Sequence, residues 1–305
     1  MQIKSVQEAA NTGGQEMSLL ALCIIKDSQS WGVNRGFLDF LNLLTNLTQQ
    51  TPSVKLSLGL LASDMSTYTD LGLAGAAWLS ILRSHLSPAH ASTDQHLARL
   101  TTNTKRSLQG QMLRRRSLAR LRNQLLFSAL EQEDVVLWID SDIIAAPQDM
   151  LPKMIASNLD IITPSCYFYD KSWPRWRQKQ WYFDYNVFQG SVSRPEQDEL
   201  IEIAAGESFP QKTKQNRHGD IKFLDELAQN KSEFVQLSSV GGTMLWVKAS
   251  VHRDGVVFPI ANIVGSEWHR QGYVGLETEG ICWLADFLGY KCWGMPHTII
   301  MHDAI

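Results

Sequence analysis

"DVVLWIDSDI", residues 134–143, decides how this 305-residue chain is read. Val135 to Ile139 form a continuous apolar run, the pattern of a strand buried on both faces. The run ends in Asp140 and Asp142. Open parallel α/β sheets bind ligands outside the carboxyl ends of their strands, where these two acids fall. Carboxylates one residue apart can share a hard divalent cation, one directly and one through water or a ligand hydroxyl, leaving positions open for phosphate oxygens. The same pattern also suits an aspartate-nucleophile phosphatase, or a plain strand-end turn.

Reading outward separates these options. "SLLALCII" (18–25) is a buried-strand run, followed by a helix with Phe37, Phe40, Leu41, Leu44 and Leu47 on one face. "VKLSLGLLAS" (54–63) is a second strand ending at Asp64, with a helix expected over 69–86. A helix over 107–130, striped by Leu118, Leu121, Leu125 and Ala129, feeds the Asp140 strand. "PQDMLPKMIAS" is a helix opened by Pro147, and "DIITP" (160–164) is a further strand. Alternating strands and helices predict an α/β fold with a mostly parallel sheet covered on both faces. The phosphatase reading places its aspartate strand near the start of the fold. Here two strand–helix units come first, as in a nucleotide-binding half, which favours a nucleotide-sugar transferase.

From 165 to about 233 the pattern reads as loops and short helices, an insertion or lid. Regular structure resumes at "FVQLSSVGGTMLWVKAS", then a helix over 279–288 and a closing strand pair, "KCWGMP" and "TIIMH". No internal repeat is visible. One domain is expected over 1–305: a polar lead to 17, a nucleotide-binding half over 18–164 and an acceptor-side half over 165–305.

Hydrophobic content of 44% with 19% charged residues is ordinary globular composition. A net charge of -3 argues against a surface built for nucleic acid or anionic membranes. No apolar run reaches the roughly 20 residues of a membrane span. Cys23, Cys166, Cys282 and Cys292 show neither a CxxC pair nor zinc-type spacing, so neither a metal staple nor a disulfide framework is expected. Between Asp94 and Glu131 there are no acids but eight basic residues, Arg99, Lys105, Arg106, Arg114, Arg115, Arg116, Arg120 and Arg122. Arg114 to Arg116 read as a solvated helix face. Arg120 and Arg122 are the candidates for a diphosphate clamp, because guanidinium pairs bidentately with phosphate oxygens.

"LARLRNQLLFSAL", "LWIDSDI", "FDYNVFQGS", "VGGTMLWVKASVHRDGVVFP", "ETEGICWLADFLGY" and "GMPHTIIMH", in that order, resemble the mannan-polymerase (Anp/Van-type) family of fungal α-mannosyltransferases, glycosyltransferase family 62. The resemblance runs from about residue 19 to residue 302. It implies a GT-A fold, GDP-mannose as donor, manganese as metal with magnesium as the alternative, and transfer with retention. Asp140 and Asp142 match the family's metal-binding DxD, and His302 a histidine that completes the site.

The remaining candidates follow from the same segments. Glu277 and Glu279 precede a helix, where capping and the helix dipole explain acids; the resemblance adds sugar binding or deprotonation of the acceptor. They are the catalytic candidates together with Asp184, while Asn186 and Gln189 match positions facing donor or acceptor hydroxyls. Gly241 and Gly242 mark a strand bulge or close passage of backbone by the donor sugar. Asp64, Lys26 and Asp27 fall where a GT-A fold holds base and ribose. Tyr167, Phe168, Tyr169, Trp173, Trp176, Trp181, Tyr182, Phe183, Tyr185 and Phe188 divide between a satellite core and platforms for sugar rings.

Ser238 and Ser239 stand where the family has an acid and a glycine, and Gly190 where an acid is usual. The donor site therefore reads as kept and the acceptor site as altered, pointing to an acceptor other than mannan. The expected partners are GDP-mannose and a hydroxyl-bearing acceptor, with homo- or hetero-oligomerisation open and no nucleic acid. The family's membrane anchor is not seen, so the expected location is cytoplasmic, or the Golgi lumen for a chain trimmed of its anchor. The alternative function is a non-catalytic glycan-binding or scaffold partner of a sister transferase.

Overall fold

The computed structural model describes residues 17–62, 81–86, 108–169, 180–191, 220–261 and 276–303. Strands β1 (Met17–Ile25), β2 (Val54–Ala62), β3 (Ile81–Leu86) and β4 (Val135–Ile139) form the parallel part of one sheet, in the order β3-β2-β1-β4. Beyond β4 the sheet continues through β11 (Met244–Lys248), β6 (Ile161–Tyr169), β12 (Cys292–His302) and β10 (Val235–Leu237). Strand β11 is antiparallel to both its neighbours, and β12 is parallel to β6. Short strands β5 (Ile143–Ala145) and β7 (Gln180–Tyr182) pair with β12 and β6, and β8 (Phe188–Gln189) pairs with β9 (Lys222–Phe223). This is a mixed α/β arrangement, a parallel sheet extended through an antiparallel strand.

Period-two alternation along each strand sends side chains to two cores. Leu20, Leu22, Val136 and Trp138 face helix α2 (Leu108–Ala129), which buries Ala119, Leu121, Leu125, Leu126 and Ala129 against them. Leu19, Ala21, Cys23, Val135, Leu137 and Ile139 face the other way. There they meet Phe40, Leu41, Leu44 and Leu47 of α1 (Phe37–Thr48) and Met150, Leu151 and Met154 of α3 (Met150–Ser157). A strand buried on both faces must be apolar at every position, as "VVLWI" is. Three further α-helices, α4 (Leu224–Leu227), α5 (Ala249–Arg253) and α6 (Thr278–Phe287), and a 3-10 turn at Ser28–Trp31 complete the described helices.

Four expectations are corrected. Of the helix expected over 69–86 only 81–86 lies within the described residues, and that part is strand β3, which takes its register from β2 (Ser57 beside Ile81, Ala62 beside Leu86); a short run does not by itself distinguish strand from helix. The irregular region does not begin at 165, because β6 runs on to Tyr169, held by β12 and β7. "KCWGMP" and "TIIMH" are one strand, β12, with a register shift between Met295 and Ile299. Finally, Cys282 of α6 and Cys292 of β12 form a disulfide with Cα atoms 5.8 Å apart, while Cys23 and Cys166 are buried free thiols. Nine residues separate the bonded pair, a spacing outside the motifs that a sequence reading can recognise. A helix turning straight back into a strand brings the two together.

Trp138 is almost fully buried, and its Nε1–H donates to His252 Nε2 at 3.3 Å. With Nε2 accepting, Nδ1–H donates to the Val256 carbonyl at 2.7 Å, so both ring nitrogens are satisfied only by the neutral imidazole. Burial depresses the His252 pKa to about 4, against a small opposing contribution from the Val256 carbonyl. The unfolded chain then binds a proton more readily than the folded one between the unfolded value near 6.5 and about 4, so stability is complete above that window and falls as pH drops through it. A loss of roughly 3 kcal/mol is expected from this residue in urea titrations across the window, and His252→Gln should remove that part of the slope. The disulfide closes a loop of 10 residues and should contribute about 2–3 kcal/mol. Reductant is expected to lower the unfolding midpoint of the native protein while leaving a Cys282→Ser/Cys292→Ser variant unmoved.

Candidate functional site

The carboxyl end of β4 is built by its neighbours as much as by its own residues. Because β11 runs antiparallel beside β4, with Met244 opposite Ile139, the residues before Met244 border the Asp140 turn. The Asp140 amide donates to the Thr243 carbonyl at 2.9 Å. On the other side β5 follows Asp142 directly and pairs Ile143 with His302, while the Asp303 amide donates to the Asp142 carbonyl at 2.8 Å. Sheet register therefore delivers a C-terminal histidine to a mid-chain aspartate.

His302 Nε2 lies 3.2 Å from Asp142 Oδ2. Its Nδ1 donates to the Asp303 carbonyl at 2.5 Å, and its ring stacks on Phe183 with centroids 4.1 Å apart and planes 21° apart. Burial disfavours a charged imidazole, but the hydrogen bond and charge of Asp142 outweigh it and raise the His302 pKa. The Asp303 carboxylate accepts from the Val33 amide at 2.6 Å, tying the loop after β1 to the same corner.

Arg122, only 6% exposed, sits on the opposite side of Asp140. Its Nη2 donates to the Gly242 carbonyl at 3.1 Å and lies 3.6 Å from Asp140 Oδ1, while Nε is 3.4 Å from Glu277 Oε1. The guanidinium carbon lies 5.2 Å from the Phe258 ring centroid and 5.8 Å from that of Trp138, within cation–π range. Buried Nη1 has no hydrogen-bond partner among the described residues. Seven residues earlier, and so on the same face of α2 two turns away, Arg115 donates to Glu279 Oε1 at 3.0 Å and to Asn186 Oδ1 at 3.1 Å.

Glu277 is the residue before α6 and carries no side-chain cap bond. Its φ of 59° is a left-handed conformation that ordinary residues rarely adopt, and it turns the carboxylate towards Arg122 instead. Asp184 is buried and accepts from the Asn186 amide at 3.2 Å and the Thr243 hydroxyl at 3.3 Å; burial raises its pKa. A Cβ on Gly241 would overlap the Asp184 carboxylate, and one on Gly242 the Arg122 guanidinium. Bare backbone at both positions lets the chain pass over these side chains.

The structure thus gathers Asp140, Asp142, His302, Arg122, Asp184, Asn186, Glu277, Glu279, Gly241 and Gly242 at one strand-end crevice. Arg120 is exposed: two positions from Arg122, it is turned about 200° around the helix. Gln189 is exposed and donates to the Gln236 carbonyl at 3.1 Å, away from the crevice. Asp64, Trp173 and Trp176 lie outside the described residues. Arg115 departs from the solvated-face expectation; its seven-residue spacing from Arg122 was the available signal. Phe183, one of the aromatics read as satellite core or sugar platform, instead stacks on His302, and Thr243 and Asp303 enter through tertiary contacts that no local pattern marks.

Although 43% of the Asp140 side chain is accessible, its carboxyl is pushed up to about 7. Burial is the largest cause; Asp142 and Glu277 add to it, and Arg122 and His302 oppose it. By number, the five acids Asp140, Asp142, Asp184, Glu277 and Glu279 stand against Arg115, Arg122 and His302 at this corner, a set that leaves room for a bound cation. Adjacent octahedral ligands about 2.1 Å from a small divalent ion lie about 3 Å apart, which matches the separation of His302 Nε2 and Asp142 Oδ2. Among the described residues no three His, Cys, Asp or Glu side chains converge into a complete metal site, and Asp140 turns its Oδ1 to Arg122. The pair suits an ion whose other positions are filled by ligand and water.

Residues 1–261 match the Anp1 family model. The mannan polymerase complex subunit mnn9 of Schizosaccharomyces pombe is 32% identical over 192 residues, covering 62% of this chain and 52% of that protein. The mannan polymerase I complex VAN1 subunit of Saccharomyces cerevisiae is 26% identical over 200 residues, covering 63% of this chain and 34% of that protein. The chain spans about half or less of the length of these relatives. Among solved structures, GalNAc-T7 with UDP, GalNAc and Mn2+ aligns over 94% of this chain and 43% of its own, at a TM-score of 0.48 and 10% identity. Mannosyltransferase PcManGT from Pyrobaculum calidifontis, in complex with GDP-Man and Mn2+, aligns over 93% of this chain and 56% of its own, at 0.45 and 10%. With a family match extending over residues 1–261, the chain belongs to the Anp1 family.

Proposed function

We propose that this protein is a metal-dependent glycosyltransferase that moves mannose from GDP-mannose to a hydroxyl acceptor with retention. The observation that carries the reading is the pairing of Asp142 with His302 beside buried Arg122, at the carboxyl end of the central parallel strands. Asp142 and His302 would hold the ion, with Asp140 reaching it through water. An imidazole ligand favours manganese over magnesium. A divalent ion held there would supply neutralisation of the charge on a departing diphosphate.

The protein's own groups account for the rest. Arg122 Nη1, buried and unpartnered among the described residues, is a donor for a diphosphate oxygen. Its counter-charges Asp140 and Glu277 and its seat over Trp138 and Phe258 hold it in place before the donor arrives, so little reorganisation accompanies charge development. Phe183 and Asp303 fix the His302 ring, and Asp184 orders Asn186 and Thr243. Glu279 and Asn186, both bonded to Arg115, face the sugar and its acceptor. In the transfer the bond from the anomeric carbon to the phosphate oxygen breaks and an acceptor oxygen bonds to that carbon on the same face. The acceptor proton goes to the released phosphate. No carboxylate nucleophile is assigned.

The relatives' names place them in multi-subunit complexes, and we propose hetero-oligomerisation for this chain as well. Among the described residues no helix is long and apolar enough to cross a membrane. The Cys282–Cys292 disulfide supports an oxidising lumen over the cytoplasmic location, because reducing compartments keep thiols free.

Two measurements test the site. Asp142→Asn should reduce manganese-dependent GDP binding, read by calorimetry, by at least ~100-fold, together with GDP-mannose hydrolysis in the absence of acceptor. Unchanged metal dependence in this variant would falsify the assignment, whereas GDP binding without any turnover would point to the non-catalytic alternative. Gly242→Ala, which displaces Arg122, is expected to lower donor hydrolysis by about 100-fold. Arg120→Ala should leave it at the native rate.

A further inference from the structure

Helix α6 carries two of the crevice's acids at its start and a covalent tether one turn further on. Glu277 and Glu279 are buried, and they pair across to Arg122 and Arg115 of α2. Cys282 follows Glu279 by three residues, on the same side of the helix and roughly 4.5 Å along its axis. Its disulfide partner, Cys292, is the first residue of β12 and lies within the sheet, opposite Ile161 of β6 and Leu237 of β10. The helix start is therefore held by α2 on one side and by the sheet on the other.

We infer that the Cys282–Cys292 disulfide positions Glu277 and Glu279 for the donor site, so that reducing it loosens α6 and lowers donor turnover. The inference rests on the donor reading above, and three observations carry it. Glu277 is held at a φ of 59°, a backbone state that persists only where its surroundings fix it. Both carboxylates are kept out of water by their pairing with the arginines, and a small displacement of the helix start separates both pairs at once. Lastly, α6 has ten residues, too few to persist as a helix by itself, and it buries one face through Ile281 and Ala285 while Asp286 and Phe287 are exposed. The disulfide adds the hold that packing on one face does not give. Both cysteines line an open cleft beside the crevice, which gives a small thiol a path to the sulfurs. On reduction the S–S bond breaks and two thiols form, with two electrons and two protons supplied by an external dithiol that closes to its own disulfide. The donor site is then complete only in oxidising surroundings.

The full chain is compared oxidised and after treatment with dithiothreitol, well below its unfolding midpoint, by hydrogen exchange and by GDP-mannose hydrolysis with manganese. Reduction should speed amide exchange in α6 by about 10-fold more than in β1 and β4. It should also lower kcat for hydrolysis by about 10-fold with KM nearly unchanged, because Arg122 answers charge that develops only as the diphosphate leaves. Reoxidation should restore both values. A Cys282→Ser/Cys292→Ser variant should behave as the reduced protein does and not respond to the dithiol, which separates loss of the tether from capture of manganese by the reagent. A disulfide that only stabilises the fold acts on the unfolded chain. Exchange would then rise alike in α6, β1 and β4 and kcat would hold, and either result overturns the inference. An oxidised protein that hydrolyses no GDP-mannose would reject the donor reading, while the exchange comparison would still decide whether the tether holds α6.

Discussion

A guanidinium taken out of water in the middle of α2 is the constraint around which the crevice is arranged. An isolated buried cation is costly, and removing one partner of a buried ion pair costs more than the pair itself contributes. Arg122 is therefore met by the Gly242 carbonyl, Asp140 and Glu277, with the faces of Phe258 and Trp138 beneath it. Each of these contacts fixes something else. Gly242 must lack a side chain, Glu277 must take a left-handed backbone, and α2 must present this face to the sheet. Once these demands are met Nη1 is left buried without a hydrogen-bond partner among the described residues.

The second constraint is the way β12 enters the sheet. Running parallel to β6, it carries His302 to the same end of the sheet as Asp142, where β5 pairs with it. Stacking on Phe183 and the bond to the Asp303 carbonyl leave Nε2 as the ring nitrogen facing Asp142. The disulfide acts at the opposite end of the same strand, joining its first residue to α6. The helix with Glu277 and Glu279 at its start and the strand with His302 at its end are thus covalently linked, although nearly 25 residues separate the groups in sequence.

The apolar run Val135–Ile139 and the two aspartates after it are readable without coordinates, because a strand covered on both faces has no polar position to spare and its carboxyl end is where ligands gather. The stripes of α1 and α2 and the strands β1, β2 and β4 follow from the same local periodicities. These repeats depend only on backbone geometry, so the chain states them openly. The strand β3, taken for helix, shows the limit: its conformation is set by pairing with β2, which lies outside its own segment.

Local patterns alone carry the α/β class, the aspartate pair at the end of the central strand and the close backbone passage at Gly241 and Gly242. Which arginines reach the candidate site is set by packing between distant segments. Arg120 and Arg122 are equally basic, but one faces water and the other meets Glu277 and Gly242, residues more than a hundred positions away. The same holds for Arg115 with Glu279, for Phe183 under His302 and for Cys282 with Cys292. Burial and pairing of a charge depend on what the rest of the chain packs against it, and no local pattern records that.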